Sequence, residues 1–119
     1  MGLFDWLFGK KVHQISVQEA HRLLQGDNPP LIVDVRQPVE TQAGVVPNAV
    51  LVPLTEFGQH YEELPRERAI LTICRSSHRS PIAARKLAKA GYEVLDVKGG
   101  MLAWEQARLP VQKPNKDRS

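Results

Sequence analysis

The stretch Ile70-Leu71-Thr72-Ile73-Cys74-Arg75-Ser76-Ser77-His78-Arg79-Ser80-Pro81 constrains the fold more than any other part of the chain. An apolar, β-favouring run ends at the only cysteine, and a short polar and basic loop follows. Pro81-Ile82-Ala83-Ala84-Arg85-Lys86-Leu87-Ala88-Lys89-Ala90 then predicts a helix, with proline suited to the first turn and Gly91 to the stop. The sulfur is thereby placed where a strand hands over to a helix N-terminus, and unpaired amides there favour an anion.

That position has a chemical meaning. A free thiol titrates near ~8.5, and a helix N-terminus with arginine nearby lowers this to about 3.5–7.5. Cys74 has Arg75, His78 and Arg79 close by and no acid within the loop. The pattern predicts a nucleophilic thiolate and a pocket that attracts anions. A lone cysteine is more often structural, but a structural one rarely closes a buried strand directly before such a basic loop.

The rest of the chain alternates strands and helices. His13-Gln14-Ile15 reads as a short strand. Ser16 and Glu19 have capping-box spacing ahead of the stripe Val17, Ala20, Leu23 and Leu24. Leu31-Ile32-Val33-Asp34-Val35 is apolar apart from Asp34, as in a central parallel strand. Pro38 to Ala43 forms a helical turn, Val50-Leu51-Val52 a strand, and Thr55 to Leu64 a helix with Phe57, Tyr61 and Leu64 on one side. Tyr92 to Val97 is a further strand, and Gly99-Gly100 opens a last helix from Met101 to Ala107. This alternation predicts a parallel α/β sheet, whose ligands bind beyond the carboxyl ends of the strands. Asp34 and Cys74 both fall on that edge.

Composition sets the boundaries. With 119 residues, 42% hydrophobic and 24% charged, the chain suits one domain with a genuine core. We expect an apolar N-terminal segment at 1–11, the domain at 12–111 and a flexible polar tail at 112–119. One cysteine allows no internal disulfide framework. Neither the charge of +3 nor the basic pattern forms a nucleic-acid platform. The histidines His13, His21, His60 and His78 lack metal-ligand spacing, so no metal is expected. No run reaches transmembrane length, and Met1 to Phe8 lacks the charge order of a secretory signal, which makes the cytoplasm the expected location. Leu3, Phe4, Leu7 and Phe8 share a helical face; packing on the domain is the leading reading of this segment, and membrane or partner contact through residues 1–9 the lesser one.

At these residues the sequence resembles the single-domain rhodanese-like sulfurtransferases (the thiosulfate sulfurtransferase family), over about residues 12 to 111. The first signature is matched by Asp34-Val35-Arg36, Pro38, Glu40, Gly44 and Ala49. The active-site loop is similar to Cys74–Ser80, and the closing motif to Gly99-Gly100-Met101 with Trp104. The resemblance implies a rhodanese-like α/β fold, a central parallel β-sheet of about five strands flanked by helices on both faces.

It also implies transfer of a sulfane sulfur from thiosulfate or a similar donor to cyanide or a thiol, through a persulfide on Cys74 and without a cofactor. A protein sulfur acceptor is a further expected partner. Catalysis would fall to Cys74, and substrate binding to Arg75, Ser76, Ser77, His78, Arg79, Ser80 and Arg36, with Asp34 and Glu40 structural beside the site.

Four residues separate Cys74 from Arg79, one fewer than in the tyrosine-phosphatase loop, so phosphatase or arsenate reductase activity ranks below sulfur transfer. A sulfur-carrying module with little turnover is the other alternative. The chain departs from the family's pattern at Ser77, where glycine is usual, and at Thr41, Val45 and His78.

Overall fold

The computed structural model describes residues 12–114. Five strands, β1 (His13–Ile15), β2 (Leu31–Asp34), β3 (Val50–Leu51), β4 (Ile70–Ile73) and β5 (Val94–Val97), form one sheet in the order β1-β5-β4-β2-β3. Every neighbouring pair is parallel. Between the strands lie α1 (Val17–Leu24), α2 (Pro38–Thr41), α3 (Leu54–His60), a 3₁₀ turn at Tyr61–Glu63, α4 (Ser80–Lys89) and α5 (Gly100–Gln106). The expected rhodanese-like α/β architecture is what the chain adopts.

Strand alternation divides the core in two. Val33, Val35, Ile70 and Cys74 pack with Phe57 of α3 and Ala83 and Leu87 of α4 on one face. Ile32, Leu71, Ile73 and Val97 pack with Val17 and Ala20 of α1 and Met101 and Trp104 of α5 on the other. A central parallel strand must be apolar on both sides, and all four residues of β4 are buried. The exception in this layer is polar but satisfied. Asp96 accepts from Thr72 Oγ1 and Gln14 Nε2, each at 2.9 Å, across three adjacent strands.

Local signals act as their residue types dictate. Ser16 Oγ accepts the Glu19 amide at 3.0 Å and starts α1. The expected helix over Thr55–Leu64 is α3 followed by the 3₁₀ turn, and Leu64, the residue before Pro65, is extended. The strand expected from Tyr92 begins at Val94, because Tyr92 packs in the core and its hydroxyl bonds the Tyr61 and Leu64 carbonyls. Gln112, placed in the tail by the sequence, exchanges both backbone hydrogen bonds with Val45 at 2.8 Å. The expected N-terminal face of Leu3, Phe4, Leu7 and Phe8 lies outside the described residues. Among the described residues no helix is long and apolar enough to cross a membrane.

The strand order creates a crevice. β2 continues to β3 on one side and β4 to β5 on the other, so the chains leaving the carboxyl ends of β2 and β4 diverge. Such a switch point is where open α/β sheets bind ligands. Two substitutions test the layering by chemical denaturation. Leu87→Ala, in a site with no exposure, should cost about 2–5 kcal/mol, and Val39→Ala, at 73% exposure, less than about 0.5 kcal/mol.

Candidate active site

Cys74 follows β4 at this crevice and has no exposed surface. Its neighbours in the sheet are aliphatic, yet the loop after it turns its amides inward. The Ser77 amide donates to Sγ at 3.2 Å. Burial pushes the thiol's pKa up, but donors from the Ser80 hydroxyl and the Ser80, Arg79 and Ser76 amides outweigh it and hold the group below its ordinary 9.0. The Ser80 hydroxyl is buried and has no other hydrogen-bond partner among the described residues, which leaves it free to donate to an ionised sulfur.

The amides face inward because the carbonyls are held outward. At the start of α5, the Met101 amide donates to the Cys74 carbonyl at 2.8 Å and the Leu102 amide to the Arg75 carbonyl at 3.0 Å. This contact requires glycine before it. A Cβ on Gly100 would lie 2.4 Å from the Cys74 oxygen and 2.5 Å from the Arg75 oxygen, and its φ is +59°. Ser77 adds a tie that its sequence position did not signal. It adopts φ +73°, a conformation costly to residues other than glycine. Its Oγ accepts the Gly99 amide at 2.6 Å, so the side chain fastens the loop to the same turn that holds the two carbonyls.

Of the three arginines expected to bind substrate, Arg79 and Arg36 are committed to protein. Arg79 makes a bidentate pair with Glu40 at 2.6 and 2.7 Å. The pair ties the loop to α2, and Glu40 also accepts the Gln37 amide at 2.9 Å. The Arg79 guanidinium, aided by that amide, holds Glu40 at about 2, well below the ordinary 4.5. Arg36, named from the sequence as a candidate substrate contact and more readily a structural residue, is turned towards protein groups. Its guanidinium is buried and donates to both Asp34 oxygens and to the Glu40 and Gly44 carbonyls. Asp34 and Arg36 therefore brace the strand end, as a buried pair with satisfied partners can.

Arg75 and His78 are exposed on the loop. Arg75 enters no ion pair among the described residues, and His78 Nδ1 lies 3.0 Å from Ser76 Oγ. Chemically, the site is a sulfur whose ionised form is favoured by convergent N–H and O–H donors, with the exposed Arg75 on the same loop.

Two consequences are measurable. A carboxylate depressed from 4.5 to about 2 contributes stability that is complete above 4.5 and lost as pH falls toward 2. Acid titration of unfolding should show this loss in the wild type and its absence in Glu40→Gln. Gly100→Ala should lower stability by at least ~2 kcal/mol and slow alkylation of Cys74, read by iodoacetamide labelling of the protein still folded.

Comparison with known proteins agrees with this geometry. The model of the rhodanese-like domain family matches residues 16–107. The chain is 33% identical over 104 residues to a sulfurtransferase of Allochromatium vinosum, covering 87% of this chain and 97% of the relative. It is 29% identical over 100 residues to YtwF, a putative sulfurtransferase of Bacillus subtilis, covering 84% and 97%. The crystal structure of a rhodanese-related protein of Thermoplasma volcanium superposes with a TM-score of 0.79 at 26% identity, covering 84% of this chain and 97% of that one. With the strand order and the cysteine loop already of this kind, the chain belongs to the rhodanese-like domain family.

Proposed function

We propose that this protein is a sulfurtransferase that takes the sulfane sulfur of thiosulfate, or of a similar anionic donor, onto Cys74 and passes it to cyanide or a thiol. The observation carrying this reading is the buried sulfur surrounded by inward amides and the otherwise unpartnered Ser80 hydroxyl. Relatives named as sulfurtransferases over nearly their whole length support the transferase class.

In the first half-reaction the Cys74 thiolate attacks the donor's outer sulfur. Its electron pair forms the new S–S bond, and the donor's S–S bond breaks with its pair leaving on sulfite. Thiolate and thiosulfate dianion thus become persulfide anion and sulfite dianion, with charge conserved. In the second half the acceptor's electron pair attacks the outer sulfur, and the Cys74 S–S bond breaks to restore the thiolate.

The loop's donors serve both states. They lower the thiol's pKa before attack and receive the negative charge on the outer sulfur afterwards. Because Cys74 has no exposed surface, the approaching atom must enter between loop amides, which suits a terminal sulfur. Arg75 at the mouth attracts the anion, and Arg79 holds the loop through Glu40.

Intact-mass analysis after thiosulfate should show a gain of one sulfur atom on the wild type and none on Cys74→Ser. Thiocyanate release on adding cyanide separates an enzyme from a sulfur carrier, which would keep the extra atom. Alkylation of Cys74 should persist below pH 9.0 because the thiolate does. Ser80→Ala should move that profile to higher pH and slow transfer by roughly 10²-fold, the scale for removing one donor to a reacting anion. A profile unchanged in Ser80→Ala would remove the hydroxyl from the mechanism.

A further inference from the structure

A groove of about 490 Å³ runs between α3 and α4. Leu54, Phe57 and Ala83 contribute its apolar lining, Arg85, Lys86 and Lys89 its charge, and no acidic side chain lines it. It begins beside the reactive loop. Ile82, in the first turn of α4, stands 49% exposed at that end, and its amide donates to the Arg79 carbonyl at 3.1 Å. None of the three cations enters an ion pair among the described residues; Lys86 Nζ lies 5.0 Å over the Tyr61 ring.

Gly58 of α3 also lines the groove. A Cβ there would meet only Lys86 Cε at 4.0 Å, and no positive φ calls for glycine. Glycine weakens a helix relative to alanine. What it provides here is open space facing the cations.

We infer that this groove docks an acidic segment with apolar anchors, belonging to a protein that exchanges sulfur with Cys74. Charge complementarity identifies the occupant. The cations fall at i, i+1 and i+4 along about 6 Å of helix, and the apolar Leu54 and Ile82 beside them offer a small anion nothing. An extended peptide satisfies both, its carboxylates on the α4 wall and its apolar side chains against Leu54 and the exposed Ile82. The partner's role rests on the sulfur-transfer reading above, while the docking itself does not. In the exchange a partner thiolate attacks the outer sulfur of the Cys74 persulfide, the Cys74 S–S bond breaks, and its electron pair returns to Cys74.

The test uses the full chain and two labelled peptides of about twelve residues, one rich in Glu and Leu with a single cysteine, the other with Lys replacing each Glu. Fluorescence anisotropy should show the Glu peptide binding about tenfold or more tightly than its Lys counterpart. Arg85→Glu with Lys89→Glu, and separately Gly58→Leu, should each weaken it about tenfold, with thermal unfolding reporting that both variants remain folded. Sulfur transfer from loaded Cys74 to the Glu-peptide thiol should fall in parallel, while transfer to cyanide stays at the wild-type rate. Equal binding of the two peptides, or binding indifferent to both variants, overturns the inference. So does single-stranded DNA of matching charge binding as tightly as the Glu peptide, which would make the groove a general polyanion surface. Failure to load sulfur onto Cys74 would instead overturn the transfer reading, and anisotropy would still decide the docking.

Discussion

The site depends on two amides that never meet the sulfur. Met101 and Leu102 donate to the carbonyls of Cys74 and Arg75, which fixes the peptide planes at the start of the loop. With those oxygens held outward, the following N–H groups are left to converge on the thiol. A buried anion is stable only when donors replace the water it has lost. The inward ring supplies them at Cys74 through the Ser76, Ser77, Arg79 and Ser80 amides and the Ser80 hydroxyl.

Arginine in this edge of the fold has a different use. Arg36 and Arg79 each face a carboxylate, and together they join β2, α2 and the reactive loop. Pairs of this kind are weak sources of net stability when buried, but they give fixed directions to short segments that have few apolar contacts. Helix α2 is only four residues long and could not hold itself in place. The exposed cations Arg75, Arg85, Lys86 and Lys89, on the reactive loop and the helix after it, enter no ion pair among the described residues.

Much of this was legible in the sequence. Apolar runs at β2 and β4, the Ser16 cap, the Gly91 stop and the cysteine at a strand end all express local preferences that the tertiary structure keeps. What escaped was decided by contacts distant in the chain. Arg36 has the same local signature whether it faces substrate or Asp34, and the Glu40 and Gly44 carbonyls complete its protein partners. Ser77 looked like a departure from glycine. Its hydroxyl proves to have a partner in Gly99, twenty-two residues on, so the substitution exchanges conformational ease for a cross-link. Gln112 joined the polar tail on composition alone, and its pairing with Val45 is a backbone event that side-chain character does not encode.

The turn at Gly99–Gly100 also sets an order of events during synthesis. A ribosome delivers Cys74 well before Met101 and Leu102, and until those two amides arrive the carbonyls of the reactive loop have nothing to hold them outward. Domains fold as units while the chain emerges, so in a nascent chain that ends short of α5 the Cys74 and Arg75 carbonyls lack the two amides that hold them. The inward turn of the loop amides is therefore completed late, by the last helix of the domain.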